Sequence, residues 1–149
     1  MIPEIGHLAL IIAFVFAMGL AVIPMWGAGR GNSAALNLAP TLAMGVLLFV
    51  GIAFAMLAVS FLKDDFSVAV VAANSNSLLP AIFKFSALWG NHEGSLLLWV
   101  LILSGWMAAV SWFSHGLPSV MVARVLSVMG MIAVGFLAFS LLTSNPFER

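Results

Sequence analysis

The densest cluster of polar side chains is the stretch WGNHEGSLLLW at residues 89–99, immediately before a long apolar run. His92 supplies an imidazole and Glu93 a carboxylate, and these groups hydrogen-bond polar ligands or bind cations. Trp89 and Trp99 flank the pair with flat apolar rings. The polar cluster therefore stands at the threshold of a segment long enough to enter a membrane, either as a ligand site or as the start of a helix.

The same stretch has a structural interpretation. Gly90 and Gly94 permit a tight backbone path, and Ser95 is placed to cap a helix that begins there. Glu93 then faces the positive end of the helix dipole. Polar groups at a helix end need no further function, so residue chemistry alone favours this interpretation over a ligand site.

Two tryptophans suggest a ligand surface farther along the chain. Trp99 and Trp106 lie seven residues apart and therefore on nearly one face of a helix. A tryptophan-lined face beside a polar mouth suits a flat apolar ligand such as a porphyrin. An aromatic belt combined with helix packing explains the same spacing and is the commoner outcome.

The chain has three histidines and no cysteine. Without cysteine there is no disulfide, no thiol chemistry, no iron–sulfur ligation and no CxxCH haem-attachment motif in the chain. His7, His92 and His115 are the candidate metal or haem ligands. His7 is expected at the membrane interface, His115 in a loop, and His92 in hydrogen bonding or helix capping, so no metal site is predicted.

The elements that must position these residues are membrane helices. Hydrophobic residues make up 64% of the chain and charged residues 7%, with a mean hydropathy of +1.21. Soluble domains carry about a quarter charged residues. The net charge is zero without a basic run, which argues against nucleic acid binding. We predict an all-α, polytopic membrane protein with a single domain at 1–149 and four spans, at about 5–25, 40–62, 95–113 and 122–142.

The flanking charges bear on orientation. The first span follows a leader with Glu4 and no basic residue, which is typical of a retained span and not of a secretory signal. Basic residues near the spans are Arg30 and Arg124 on one side against Lys63 and Lys84 on the other. This nearly even tally slightly favours an outside N-terminus.

The loop at 63–94 is long enough to contain structure of its own. Turn-forming residues at 74–77 interrupt it, and Pro80 is expected in the first turn of a short helix reaching Leu88. This helix is predicted to lie along the membrane interface, with Lys84 extending its ammonium group towards water.

Small residues recur at four-residue intervals in three spans. They are Ala9, Ala13, Ala17 and Ala21 in the first, Gly51 and Ala55 in the second, and Gly105 and Ala109 in the third. Such spacing lets helices approach closely in lipid. We expect these ridges to form helix contacts.

Three stretches together resemble one protein family. MIPEIGHLAL, DDFSVAVVAANSNSLLP and WGNHEGSLLLW are similar to the beginning of the CcmF family, the haem-lyase membrane subunits of cytochrome c maturation, or of its nitrite-reductase-associated paralogue. The resemblance runs from Met1 to about Asn145. The matching motif residues are Asp65, Phe66, Ser67, Asn74, Ser75, Asn76, Trp89, Gly90, His92, Glu93, Gly94, Ser95 and Trp99.

The resemblance implies a location and an activity. It places the chain in the bacterial inner membrane as a multi-pass protein, with its N-terminus and the 63–94 loop in the periplasm. Family members accept haem from the chaperone CcmE and attach its vinyl groups to the CxxCH thiols of apocytochrome c, together with CcmH-type subunits. Trp89, His92, Glu93 and Trp99 are then expected to form a haem-handling face.

The resemblance also implies that more of the protein is needed. The family's tryptophan-rich WWD segment and its haem-ligating histidines lie in later parts that are absent here, so axial ligands are expected outside the chain. TSNPFER resembles the start of the next periplasmic connection. The chain is expected to be an amino-terminal piece, either truncated or one part of a split protein, which does not catalyse thioether formation without the remaining part of CcmF.

Two other functions remain open. The chain is alternatively a structural or transport subunit of another membrane complex, although such proteins usually carry ionisable residues in mid-membrane and the span centres here have none. It is otherwise an inactive truncated remnant.

Overall fold

The computed structural model describes all 149 residues as six α-helices without β-strands. The helices are α1 (Ile2–Arg30), α2 (Ser33–Leu62), α3 (Ala69–Asn74), α4 (Ala81–Ala87), α5 (His92–Phe113) and α6 (Ser119–Leu142). Of these, α1, α2, α5 and α6 are long and apolar enough to cross a membrane. The predicted all-helical membrane fold with four spans is confirmed.

The four long helices form a bundle around a central pair. Helices α2 and α6 contact each other, and each also contacts α1 and α5. Helices α1 and α5 therefore lie on opposite sides of the α2–α6 pair. The starts of α1 and α5, the ends of α2 and α6, and the short helices α3 and α4 share one end of the bundle, here called the long-loop end. The α1–α2 turn and the 114–118 loop form the opposite, short-loop end.

A tight turn joins α1 to α2 at the short-loop end. Gly31 adopts a left-handed conformation with φ 66°, which glycine accepts without steric cost. The Asn32 side chain then accepts hydrogen bonds from the backbone N–H groups of Ala34 and Ala35, at 3.1 and 3.3 Å. These bonds satisfy free donors of the first turn of α2.

Every long helix extends beyond the span predicted within it. The largest single difference is at the start of α2, which begins at Ser33, ahead of the predicted 40, because Pro40 lies inside the helix. A proline within a membrane helix is tolerated where neighbouring helices compensate for the lost hydrogen bond. Helix α5 begins at His92 and not at 95, and α6 begins at Ser119 and not at 122.

The four-alanine ridge of α1 is a real contact surface. Its members are buried, and two of them, Ala13 and Ala17, are completely inaccessible. Opposite this face, Gly130 of α6 comes so close that a β-carbon there would lie 3.0 Å from the backbone nitrogen of Ala21. Small side chains therefore allow α1 to approach its neighbours closely, as predicted.

The other two small-residue pairs are not contacts within the chain. A β-carbon added at Gly51 or Gly105 would meet no atom within 4 Å, and Ala55 is exposed. Helix α2 instead packs through residues such as Ala43 and Val50, both fully buried. Four-residue spacing indicates a surface that permits close approach without identifying which helix uses it. Contacts of these pairs with helices outside the chain stay a prediction.

Candidate functional site at the long-loop end

Asn91 organises the start of α5. Its side-chain oxygen accepts a hydrogen bond of 2.7 Å from the backbone N–H of Gly94, and its amide donates one of 2.8 Å to the carbonyl of Ala87. The helix cap is thus tied to the end of α4. The predicted cap, Ser95, lies inside the helix, and its hydroxyl donates to the carbonyl of His92 at 3.0 Å.

Gly94 is required by close packing. A β-carbon at this position would overlap the carbonyl oxygen of Leu88, which lies buried at the end of α4. Gly94 itself has ordinary helical geometry. The glycine therefore brings the α4–α5 turn against the first turn of α5 by lacking a side chain, and not by adopting an unusual backbone angle.

His92 is the first residue of α5, and its ring is held against the end of α6. Its Nδ1 lies 3.3 Å from the hydroxyl oxygen of Ser144, and its ring centroid is 6.0 Å from that of Phe139. The imidazole is exposed, and its Nε2 has no partner in the chain. Its orientation is fixed by Ser144 while one nitrogen remains for an external group.

Glu93 lies in a different environment from His92. It borders a cleft of about 200 Å³ lined by Ala69, Val70, Ala73, Asn74, Glu93, Asn145 and Glu148. The carboxylate also lies in the first turn of α5, where the helix dipole favours negative charge. The polar cluster of the sequence is therefore divided between two neighbouring surfaces.

A continuous stripe on α5 joins His92 to the tryptophans. His92, Trp99 and Trp106 follow at seven-residue intervals, which places them on nearly one helical face. Trp99 and Trp106 point out of the bundle, 65% and 64% exposed. The spacing of the two tryptophans was recognised in the sequence, whereas the same interval back to His92 was not.

The stripe borders a groove between α5 and α6, here called the aromatic groove. One hollow of about 340 Å³ is lined by Trp99, Ile102, Leu103, Trp106, Ile132 and Phe136. A second hollow of about 380 Å³ is lined by Leu96, Ile132, Gly135, Phe136 and Phe139. Because they share Ile132 and Phe136, the two hollows form one surface that runs along the outside of the bundle from the His92–Phe139 pair towards the middle of α5 and α6.

Trp89 belongs to neither the groove nor the cleft. It lies between α4 and α5 and packs edge-on against Phe85 with ring centroids 5.1 Å apart. Of the four residues predicted for one face, His92 and Trp99 share a helical face, while Glu93 borders the cleft and Trp89 lies on the α4 side.

The segment 143–149 folds back across the long-loop end, which the sequence analysis did not anticipate. Its residue Asn145 lies 3.1 Å from Nδ1 of His7, side-chain nitrogen to ring nitrogen. The Phe147 ring covers Gly6, where any side chain would overlap it. Arg149 forms an ion pair with Glu4. These contacts bind the segment to the start of α1.

The same segment also contacts α3 and α5. The carbonyl of Glu148 accepts a hydrogen bond of 2.8 Å from the backbone N–H of Ala69, and Ser144 bonds His92 as described above. The starts of α1, α3 and α5 are thereby connected by seven residues. The apolar periodicity of the sequence does not predict that residues 143–149 pack against the helix starts. The sequence signals for this packing are a glycine, Gly6, and an aromatic ring, Phe147, which lie far apart in the chain.

Polar residues of the 63–94 loop mostly stabilise the loop itself. Asp65 accepts hydrogen bonds from the hydroxyl and the backbone N–H of Ser67, at 2.6 and 3.3 Å. Asn74 donates to the backbone carbonyl four residues earlier, and Asn76 accepts from the backbone N–H two residues later. These side chains therefore form turns and a helix end, as their residue types favour. The Ser75 hydroxyl is buried without a partner in the chain, and Phe66 is exposed.

Lys84 corrects a second expectation. Its ammonium does not extend to water but lies 2.6 Å from each carboxylate oxygen of Asp64, with the side chain 8% exposed. Asp64 follows the end of α2 and adopts a left-handed conformation with φ 54°, one that aspartate tolerates better than most residues. The ion pair attaches α4 to the end of α2. The predicted helix itself is present as α4, preceded by Pro80 at the cap position.

No three His, Asp or Glu side chains are placed together to hold a metal ion. His7 and His92 each direct Nδ1 towards the 143–149 segment. His115 lies at the short-loop end beside a cleft of about 200 Å³. The three histidines therefore lie apart from one another, and each is available only as a single hydrogen-bonding imidazole.

Sequence comparison finds one matching family model and several full-length alignments. Residues 89–149 match the family described as "Cytochrome C assembly protein". The whole chain is 59% identical to "Cytochrome c-type biogenesis protein CcmF" of Pseudomonas aeruginosa and 48% identical to that of Escherichia coli, covering 23% of each. It is 42% identical to "Cytochrome c-type biogenesis protein NrfE" of Haemophilus influenzae, covering 24% of that protein.

A solved structure has the same fold. The structure of "Cytochrome c Heme Lyase CcmF" superposes with a TM-score of 0.94 at 27% sequence identity, over 99% of this chain and 25% of that chain. The chain thus spans about a quarter of the length of the relatives it matches.

Proposed function

We propose that the chain, which is similar over its whole length to CcmF cytochrome c-type biogenesis proteins, is the part of a haem lyase that builds the periplasmic face where haem and apocytochrome c meet. The reaction adds the S–H of each CxxCH thiol across a haem vinyl group. A carbon–sulfur bond forms, the thiol proton passes to the vinyl carbon, and no external oxidant is required.

The observation that carries this proposal is the position of His92 above the aromatic groove. A polar, oriented imidazole stands beside Phe139 at the head of the groove, above the hollow that contains Trp99 and Trp106. A haem has the matching form, with two carboxylates on one edge of a flat apolar ring. Nε2 of His92 is the group from which we expect a hydrogen bond to a propionate, because the Asn91 amide already donates to the carbonyls of Ala87 and Leu88.

The residues fit the edge of haem better than its iron. Iron ligation from two sides needs two facing imidazoles or an equivalent pair, whereas His7 and His92 each hydrogen-bond separate residues of the 143–149 segment. We therefore assign haem as cargo whose polar edge passes His92 at the head of the groove, with axial ligands in the remaining part of the protein. Trp89 and Glu93 border the same end, and we assign them to contacts with partner proteins.

The partners follow from the family. We propose that the long-loop end faces the periplasm and contacts the haem chaperone CcmE, CcmH-type subunits and apocytochrome c, while the rest of the CcmF protein completes the bundle in the inner membrane. The loop elements that would meet these partners are fixed in place by the Asp64–Lys84 ion pair and by the 143–149 segment.

The test is reconstitution of cytochrome c maturation. The chain is co-expressed with the remaining part of a CcmF protein in a host lacking its own, and covalently bound haem is measured on a reporter cytochrome c. We expect maturation only when both parts are present, and about a tenfold loss in His92→Ala, as for removal of a charge-assisted hydrogen bond. His115→Ala, at the short-loop end, is the matched control.

Two results would overturn the proposal. Maturation that proceeds equally well without this chain would make it dispensable. Full activity in a His92→Ala, Glu93→Gln double variant, at equal membrane abundance, would exclude a role for these two side chains in haem attachment.

A further inference from the structure

Two tryptophans of the aromatic groove lie at an unusual depth. Helix α5 has 22 residues and is about 33 Å long, close to the thickness of the hydrocarbon core. Trp99 and Trp106 each lie seven residues from one end of it, hence about 10 Å inside. Tryptophans in the aromatic belts of membrane proteins lie at the interfaces, which is the position of Trp112 on the same helix.

Each indole N–H at that depth needs an acceptor that neither the chain nor lipid supplies. The hollow around Trp99 and Trp106 is lined by apolar side chains only. Acyl chains offer no acceptor, and an unsatisfied polar group in hydrocarbon is costly. Both rings are nevertheless exposed by about two thirds. The groove is therefore suited to contact a partner that carries hydrogen-bond acceptors in mid-membrane.

The groove also has a form that admits another helix. The two hollows join along α5 and α6 through Ile132 and Phe136. Gly135 borders one hollow, Gly105 precedes Trp106, and a β-carbon at either glycine would meet no atom within 4 Å. Small residues left open on a membrane helix permit close approach of a neighbour.

The occupant is indicated by what lies outside the chain. The chain covers about a quarter of its relatives' length, and the family model matches 89–149, which contains α5 and α6 but neither α1 nor α2. The groove therefore belongs to the part of the bundle that the family model describes. We propose that the aromatic groove docks a transmembrane helix from the remaining three quarters of the CcmF protein, with acceptor groups facing Trp99 and Trp106.

Photo-crosslinking tests the occupant directly. A benzophenone amino acid replaces Ile132 in the groove or, as control, Val15 on the outer face of α1; the two side chains are 47% and 56% exposed. The chain is co-expressed with the remaining part of the CcmF protein and irradiated in membranes. We expect a covalent product with that part from Ile132 and only lipid adducts from Val15.

Each other product overturns the proposal in a recognisable way. Lipid adducts alone at Ile132 would make the groove an ordinary lipid-facing surface, and a product of two copies of this chain would make it a dimer interface. A haem adduct at Ile132 would assign the groove to the cargo. None of these results depends on whether cytochrome c is matured, so failure here is distinct from failure of the proposed function.

A second measurement examines the indole hydrogen bonds. In Trp99→Phe and Trp106→Phe the aromatic surface remains while the N–H is lost, and we expect the co-purified remaining part to fall about threefold for each, from the worth of a hydrogen bond between membrane helices. Trp112→Phe is the matched control, because Trp112 is similarly exposed at the end of α5. Unchanged co-purification in the double variant would exclude the acceptor groups we infer.

Discussion

The Asp64–Lys84 ion pair allows the most quantitative prediction. It joins the end of α2 to α4 over two contacts of 2.6 Å, with the lysine side chain 8% exposed and the aspartate 25%. Asp64→Asn removes the negative charge, and asparagine also tolerates the left-handed conformation at φ 54°. The substitution therefore leaves the backbone unstrained and the Lys84 ammonium buried without a counter-charge.

The expected magnitude follows from the burial. Removing one partner of a fully buried pair costs about 3–5 kcal/mol. Because Asp64 keeps a quarter of its side chain exposed, part of that cost is relieved by water, and we expect about 2–3 kcal/mol. At 1.4 kcal/mol per factor of ten, local opening of α4 should become about 30- to 150-fold more frequent.

Hydrogen exchange of the α4 amides measures this opening. The backbone N–H groups of Phe83 and Lys84 both bond the carbonyl of Pro80, at 2.9 and 3.1 Å, and their exchange should accelerate by the factor given above. Lys84→Met should accelerate exchange less, because the remaining Asp64 carboxylate can hydrate. The double variant should be less open than Asp64→Asn alone.

The control is Lys63→Met, which removes an exposed neighbouring lysine and should leave α4 exchange unchanged. If the α4 amides of Asp64→Asn exchange within a factor of two of the rate in the unsubstituted protein, the reasoning is refuted. That result would mean that water solvates the Lys84 ammonium as well as the Asp64 carboxylate does.

Two further substitutions test the remaining anchors of the long-loop end. Gly94→Ala places a β-carbon on the Leu88 carbonyl and should cost about 1–3 kcal/mol by overpacking, which faster amide exchange in the first turn of α5 would show. Gly51→Ala, which meets no atom within 4 Å, should leave that exchange unchanged, and equal behaviour of the two variants would contradict the close approach. Phe147→Ala removes a ring that is 6% exposed and should release the 143–149 segment, with a loss of about 3 kcal/mol of local stability. Faster proteolysis within the segment, compared with Phe113→Ala at an exposed position, measures this release. Unchanged protection would mean that the Asn145 and Glu148 bonds hold the segment alone.

The membrane fold was predictable because composition and span length are properties of whole segments. The helix starts were less predictable, since Pro40 was taken as a beginning although the bundle accommodates it inside α2. The packing face of a helix was predictable only for α1, because four alanines at four-residue intervals mark one face with small side chains along its length. Gly51 and Gly105 carry the same spacing and face away from the rest of the chain.

The candidate site was predictable in composition and only partly in geometry. His92 and Trp99 share a face because both lie on one helix, for which periodicity is sufficient. Glu93 is directed to another surface, since adjacent helical residues point about 100° apart. The contacts of Lys84 with Asp64 and of Asn145 with His7 join positions far apart in the chain, and no local pattern specifies such pairs.

The central claim is that the long-loop end is a periplasmic surface. The chain has no cysteine, so Asn76→Cys in the long loop and Leu117→Cys in the short loop each introduce a single, exposed thiol. Intact cells are treated with a thiol reagent that crosses the outer membrane but not the inner one. We expect labelling at 76 and none at 117 until the inner membrane is opened; labelling at 117 with protection at 76 would contradict a periplasmic long-loop end.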